Sequence, residues 1–326
     1  MRRLARSMPV ILAFSFSCRD GNAGQALTPV LCLAARDTRA QGLDGIETNA
    51  LAWYRERGFA LHFDYYENTA PETLRRFPVV VGMLSQLHQG TSVFAGPFGG
   101  EIEAYVRGGG SFLFFSGPSY YGTADFDRMQ NPFLERFGAR LLREVPRAPG
   151  RERAVPRIVR YRYLRTDDIA DSPYTGGARE LYLPLDHTDD YIRTHTLCLS
   201  AEWDVLVTAG ARVASYPHAD WMRGRREPGQ YRARAPVLAL RRLGQGRFAL
   251  FATASSYFVW EAGHPALGDG FVLRTGGLDL MTGLLARLAA ESAFRDAPGL
   301  PAPPSAEAGL PGAAVPVMPE KKWWFR

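Results

Sequence analysis

The sequence predicts an α/β fold: a doubly wound, mostly parallel sheet with helices on both faces and antiparallel additions in its C-terminal half. Three observations carry this expectation. Short apolar runs alternate with helix-periodic stretches four times before residue 116. Two of the runs, VVVGML (79–84) and FLFF (112–115), are apolar throughout, as strands covered on both faces must be. Strands and helices that alternate in this way are joined by right-handed crossovers into a parallel sheet.

The elements follow in order. VLCLA (30–34) is a short apolar strand, and IETNALAWYRER (46–57) places apolar side chains at helical spacing before Gly58. ALHFDYY (60–66) is the second strand. APETLRRF opens a short helix with Pro71 near its start, where a missing N–H costs nothing. After VVVGML, a helix over 98–107 is stopped by GGG at 108–110, and FLFF is the fourth strand. In the second half IVRYRYL, ELYLPL, DVLVTA, VLALRR and RFALFATAS read as strands of the same sheet. LGQGR (243–247) is the hairpin turn between the last two. LDLMTGLLARLAAE (278–291) is an amphipathic helix that packs back on the sheet.

The ends of the chain read differently. Residues 1–26 have the parts of a secretory leader: basic MRRLARSM, apolar PVILAFSFS, and small residues up to Ala26. This predicts a periplasmic or extracellular protein. SFSC is a poor lipid-attachment motif, so acylation of Cys18 is not expected, and no stretch is long and apolar enough to span a bilayer as a helix. Residues 27–292 form the α/β domain. From 293 to 326 the chain is rich in Pro and Ala with nothing to bury, and it reads as a disordered tail.

Composition excludes little. The formal charge of +6 is about half accounted for by Arg2, Arg3, Arg6, Arg19 and Asp20. Lys321 and Lys322 are the only lysines among 39 basic residues, a bias unlike that of a nucleic-acid surface. Cys32 and Cys198 sit in apolar runs and are expected to be buried thiols without catalytic duty. No CxxC, zinc pattern, GxGxxG, Walker A loop or HExxH is present, and no cofactor or metal is expected.

RRFPVVVGML, EIEAYVRGGGSFLFFSG and NPFLERFG, in that order, resemble the class I glutamine amidotransferase-like superfamily, in particular its extracytoplasmic trehalose-utilisation-type and related branches. DSPYTGGARELYLPL (171–185) and GQGRFALFATASSYF, followed by a helix ending LLARLA, are similar to later segments of that group. The likeness spans about residues 28–291 and implies a flavodoxin-like arrangement of the sheet. It also locates a departure. The family's cysteine nucleophile sits in a G-x-C-x-G turn after the fourth strand, and here that position is Ser116 in FFSGP. Phe114 and Pro118 replace the two glycines that a strained elbow needs. Glu261 and His264 in WEAGHP have the wrong order and spacing for the family's His-x-Glu relay. A serine without a base in reach is not a nucleophile, so neither ammonia transfer nor a serine triad is expected. Ser116 is expected to end a strand and offer its hydroxyl to a ligand.

In open α/β sheets, ligands sit beyond the carboxyl ends of the strands. That rule gathers Arg36, Asp37, Tyr66, Glu67, Ser85, Ser116, Tyr120, Tyr121, Glu261 and His264. Aromatic faces beside carboxylates and hydroxyls suit a sugar ring. The acidic runs TDDIAD (166–171) and DHTDD (186–190) lack the order of a calcium loop, and the first reads as a turn capped by its carboxylates. The arginines crowding 140–165 and 223–242 read as a solvated face. The function expected is a non-catalytic binding or accessory module, carbohydrate-related and exported. The rival is a hydrolase with Glu67, Asp37 or Glu261 as general acid or base, which needs two carboxylates close together.

Overall fold

The computed structural model describes residues 26–34, 51–66, 68–83, 97–116, 130–148, 152–154, 162–185, 194–253, 258 and 277–297. Four parallel strands come first: β1 (Thr28–Ala34), β2 (Phe59–Tyr65), β3 (Val79–Met83) and β4 (Ser111–Phe115). Then follow β5 (Ala139–Leu142), β6 (Glu144–Arg147), β7 (Glu152–Ala154), β8 (Arg162–Thr166), β9 (Leu181–Pro184) and β10 (Thr196–Leu199). The last are β11 (Trp203–Thr208), β12 (Ala214–Pro217), β13 (Pro236–Leu243) and β14 (Gly246–Phe251).

The central sheet has seven strands in the order β11-β13-β14-β4-β3-β1-β2. β14 runs parallel to β4, with Phe248 opposite Phe112 and Phe251 opposite Phe115. β13 and β11 extend the sheet in antiparallel fashion. This is the α/β, flavodoxin-like, mostly parallel arrangement expected. Two readings of the second half need correction. β8 and β9, expected in the main sheet, form a separate three-stranded sheet with β7. The short strands β5, β6 and β12 were not foreseen; β12 pairs with β6, and β5 with β10. At four residues each they leave too little alternation to register as a pattern.

Side chains alternate across the sheet, so each buried strand feeds two cores. Phe112 and Phe114 of β4 point to one face with Leu31, Val80 and Phe248, beneath the helix Pro97–Arg107 and the short helix Asn131–Glu135. Leu113 and Phe115 point to the other, with Cys32, Val81 and Phe251. That face is covered by the helix Gly277–Ala290, by Tyr54 from the helical stretch 51–55, and by β8 and β9 through Leu164, Leu181 and Leu183. Helices on both faces follow from strands apolar on both sides.

The aromatic core depends on a glycine. A Cβ at Gly82 of β3 would lie 2.6 Å from the Phe112 ring and 2.9 Å from that of Phe114. Phe133 then meets Phe112, Phe114, Phe137 and Phe248, mostly edge to face, at 5.0 to 6.5 Å between centroids.

The TDD turn is structural, as expected, but its capping differs. The Thr166 hydroxyl accepts from the Asp168 N–H at 3.2 Å and donates to the Thr208 carbonyl at 2.8 Å. The Asp168 carboxylate accepts from the Thr208 hydroxyl at 2.6 Å and from Arg234 at 3.1 Å, rather than capping main-chain N–H groups. Arginines of the two crowded segments are only partly a solvated face. Arg147 is buried with its guanidinium 5.0 Å from the centre of the Trp221 ring, and Arg241 donates to the Phe137 carbonyl.

Two further expectations shift. Cys32 is buried, but Cys198 is half-buried and accepts from the Gln230 amide at 3.4 Å; neither forms a disulfide. The folded domain runs past 292: Ala293 N–H donates to the Gly109 carbonyl at 2.9 Å, and Phe294 stacks on Tyr105 at 5.6 Å. The partners Gly109 and Tyr105 are remote in sequence, so nothing local marks these contacts.

The turn at 173–177 lies directly against the closing helix. A Cβ on Gly283 would stand 2.3 Å from the Gly176 Cα, with backbone on both sides and nothing able to move cheaply. Gly283→Ala is expected to destabilise the fold by about 1–3 kcal/mol, because overpacking outweighs the gain in helix propensity. Gly100→Ala, in the helix Pro97–Arg107 with open space around its Cβ, is expected to stabilise by up to about 1 kcal/mol. Urea midpoints of the two variants moving in opposite directions would verify this; equal shifts would refute it.

Candidate functional site

Parallel topology brings the carboxyl ends of β1, β2, β3, β4 and β14 to one edge of the sheet. Every residue collected by the strand-end rule follows one of these ends in sequence. Arg36, Asp37, Glu67, Ser85, Tyr120, Tyr121, Glu261 and His264 lie outside the described residues. Ser116 and Tyr66 are described, and both are buried.

Ser116 directly follows β4 and is fully buried. Its N–H donates to the Phe251 carbonyl at 2.9 Å, and its hydroxyl donates to the same oxygen at 3.3 Å. Both donors therefore stitch the end of β4 to the end of β14. The hydroxyl proton points at a main-chain carbonyl, which is no base. Phe114, at the place where an elbow would need glycine, fills the aromatic core. Tyr66 is 2% exposed and packs edge-on against Phe98 at 5.2 Å, so it belongs to the core rather than to a stacking platform.

The structure adds residues to this edge that sequence reasoning missed. The Thr194 and Thr253 hydroxyls lie 3.1 Å apart, both buried, in a bridge between the segment before β10 and the segment after β14. Beside them, the His195 N–H donates to the Ala252 carbonyl at 2.8 Å. On the other face, Phe258 is fully buried, stacks on Tyr54 at 4.6 Å, and meets Phe115 at 5.6 Å between centroids. The Tyr54 hydroxyl donates to the Phe258 carbonyl at 3.0 Å. Phe258 itself is thus packed against the end of β4. At the sheet margin, Asp64 accepts from the Thr69 hydroxyl at 2.8 Å and from the Tyr65 N–H at 2.8 Å. These links leave Asp64 engaged in shaping the turn after β2. Thr194, Thr253 and Phe258 give no signal in sequence, since each meets its partner only through tertiary pairing.

His195 is the strongly perturbed group here. Complete burial, reinforced by the nearby positive charges of His218 and Arg143, holds its imidazole down to about 3. The ring is neutral at physiological pH and enclosed, which suits a structural polar group better than a proton carrier. Among the described residues, no cluster of three or more His, Cys, Asp or Glu side chains is placed to hold a metal ion.

The buried imidazole makes stability depend on pH. Its folded pKa lies below the unfolded value of 6.5, so the unfolded chain takes up the proton first. The contribution is complete above about pH 6.5 and is lost as pH falls toward about 3. The slope from this one group reaches at most about 1.4 kcal/mol per pH unit. Urea unfolding between neutral pH and pH values near 4.5 should show stability falling, and His195→Gln should flatten that fall. An unchanged slope in the variant would rule out His195 as its source.

The sequence matches no protein-family model and no curated protein. Solved structures align with the chain at low identity. A ThuA-like protein from Bacteroides uniformis is 11% identical with a TM-score of 0.45, covering 84% of this chain and 96% of that one. A cytoplasmic protein from Salmonella typhimurium is 12% identical with a TM-score of 0.44, covering 80% and 99%. A β-galactosidase from Bacillus circulans sp. alkalophilus is 13% identical with a TM-score of 0.41, covering 81% of this chain. The chain spans 31% of the length of that β-galactosidase. The α/β assignment rests on the sheet topology alone, since at such identities and TM-scores the likeness carries no argument.

Proposed function

We propose that the chain is a ligand-binding or accessory module built on an amidotransferase-like frame, exported, with a carbohydrate as its ligand class. The single observation that carries the non-catalytic part is Ser116. Its hydroxyl is buried and spent on the Phe251 carbonyl, in the position where the resembling family places its nucleophile. The topology supports the location of the ligand site. Five parallel strands end on one edge, and the segments that follow them carry Asp37, Glu67, Tyr120, Tyr121 and Glu261. Flat aromatic faces and bidentate carboxylates are the groups a sugar ring requires, and loops at such an edge are where α/β proteins bind.

The proposal is checked in two ways. Ser116→Ala removes one buried hydrogen bond and is expected to cost about 0.5–1.5 kcal/mol of folding stability. A serine-directed fluorophosphonate should leave the native protein unlabelled at this position. Calorimetric titration with neutral mono- and disaccharides should find a binder, and Tyr120→Ala with Tyr121→Ala should weaken it. Stoichiometric labelling of Ser116, or turnover abolished by Glu67→Gln or Glu261→Gln, would replace the binding module by a hydrolase. No heat with any sugar would remove the carbohydrate class.

A further inference from the structure

β11 ends the central sheet, and an edge strand carries a row of main-chain groups that no neighbouring strand takes up. Here a short segment of the chain lies along that edge. The Thr208 N–H donates to the Asp168 carbonyl at 3.0 Å, and the Ala170 N–H donates to the Leu206 carbonyl at 2.8 Å. Ile169 faces Val207 between them in an antiparallel bridge. The chain then turns over the closing helix, where a Cβ at Gly176 would lie 2.6 Å from the Asp279 carbonyl oxygen. Main-chain bonding to β11 stops after Ala170, so the rest of the segment is fastened by side chains.

Two carboxylates do the fastening. Asp168 holds the start, accepting from the Thr208 hydroxyl at 2.6 Å and from Arg234, the charged group that faces it, at 3.1 Å. Glu291 holds the far end. It accepts from the Tyr174 hydroxyl at 2.5 Å and pairs with Arg247 at 2.8 Å and with Arg287 at 2.5 Å. Arg247 also donates to the Tyr174 hydroxyl at 3.2 Å, and the Arg287 guanidinium stands 5.9 Å from the centre of the Tyr174 ring. The side chains of Glu291 and Arg247 are only 18% and 16% exposed, so solvent screens this pair weakly. Arg242, Arg295 and Asp296 line a cavity of about 470 Å³ together with Glu291, and Asp296 pairs with Arg295. Glu291 is therefore the anion that Arg247 and Arg287 share.

We propose that residues 168–178 form an acid-released strap, which covers the β11 edge while Asp168 and Glu291 are ionised and lifts from it when they take up protons. A protonated Glu291 no longer offsets Arg247 and Arg287, which are left as neighbouring like charges beside Tyr174. Burial pushes the Glu291 carboxyl up, but the Tyr174 hydroxyl and the charges of Arg247 and Arg287 outweigh it and hold the group below its ordinary value of 4.5. With the folded value depressed, the strap's hold is complete above the unfolded value and is lost as pH falls through the folded one. Segments with few main-chain bonds open locally at lower cost than the whole fold. Lifting the strap uncovers the main-chain groups of Leu206 and Thr208, and an uncovered strand edge is a surface on which another strand pairs. Acid thereby turns a guarded margin of the sheet into a binding one.

The experiment is hydrogen exchange of the full chain, read by mass spectrometry at about pH 7 and about pH 4 and corrected for the intrinsic pH dependence of exchange. Peptides covering 168–178 and 206–208 should exchange about tenfold faster in acid, while those of β3 and β4 stay protected. Glu291→Gln, which carries a neutral side chain of the same shape, should reproduce the gain over 171–178 near neutral pH. Asp168→Asn should do so over 168–170 and 206–208. With both substitutions the chain should show no further gain on acidification, and His195→Gln should leave the wild-type gain unchanged. Wild-type protection in the Glu291→Gln chain at neutral pH would overturn the proposal. So would a strap that opens only together with β3 and β4, an acid step that survives the double substitution, or one that His195→Gln abolishes.

Discussion

The packing of Phe112 and Phe114 over Gly82 is the constraint on which the rest of the structure depends. β4 lies at the centre of the sheet, between β3 and β14, and its two phenylalanines on one face are wide enough to need an empty position on the neighbouring strand. With that space supplied, the rings reach Phe133 and Phe248, and Phe133 carries the short helix Asn131–Glu135 onto the sheet. Asn131, buried at the start of that helix, exchanges two hydrogen bonds with the main chain of Leu141 and so fixes β5. Trp203 closes the same layer by donating its indole N–H to the Phe137 carbonyl. Interiors at crystal-like density transmit such fits from one element to the next.

The same packing explains the chemistry of the strand end. A strained elbow needs small residues around its nucleophile, and this chain has committed those positions to bulk. Phe114 is held by the core on one face, and Phe115 by Phe251 and Phe258 on the other. Ser116 inherits an extended path from β4 and bonds to the partner strand, as any residue continuing a ladder would. The bulk that keeps a strained turn from forming at Ser116 is the same bulk that builds the aromatic core.

Sequence and structure agree where periodicity is long and disagree where it is short. β1 to β4, the helix Pro97–Arg107 and the closing helix fall within two residues of their expected bounds, because each is a sustained apolar pattern with a glycine or proline stop. β8 and β9 were legible as strands but not as a separate sheet, since alternation says which side is buried and not against what. β5, β6 and β12 escaped notice for want of a period. At the candidate site, the strand end at Ser116 was readable because the strand before it is so apolar, but the bond of its hydroxyl to Phe251 was not. Thr194, Thr253 and the Tyr54–Phe258 stack were not, because partners 59 and 204 residues apart leave no local trace.

The position of β14 has a kinetic consequence. Its ladder with β4 joins residues about 135 positions apart, whereas β4 and β3 are near neighbours in sequence. While the chain is being made, β4 therefore has one side of its backbone ladder and the rings of Phe112 and Phe114 without their later covers, β14 and the helix Asn131–Glu135. An apolar strand with an open edge is a template for pairing with other chains. Non-local closure of this kind is slow, since the loop entropy is spent before the contact forms. Unwanted association during synthesis should thus begin at residues 111–115, and the time until Phe251 reaches Phe115 sets how long the chain needs guarding.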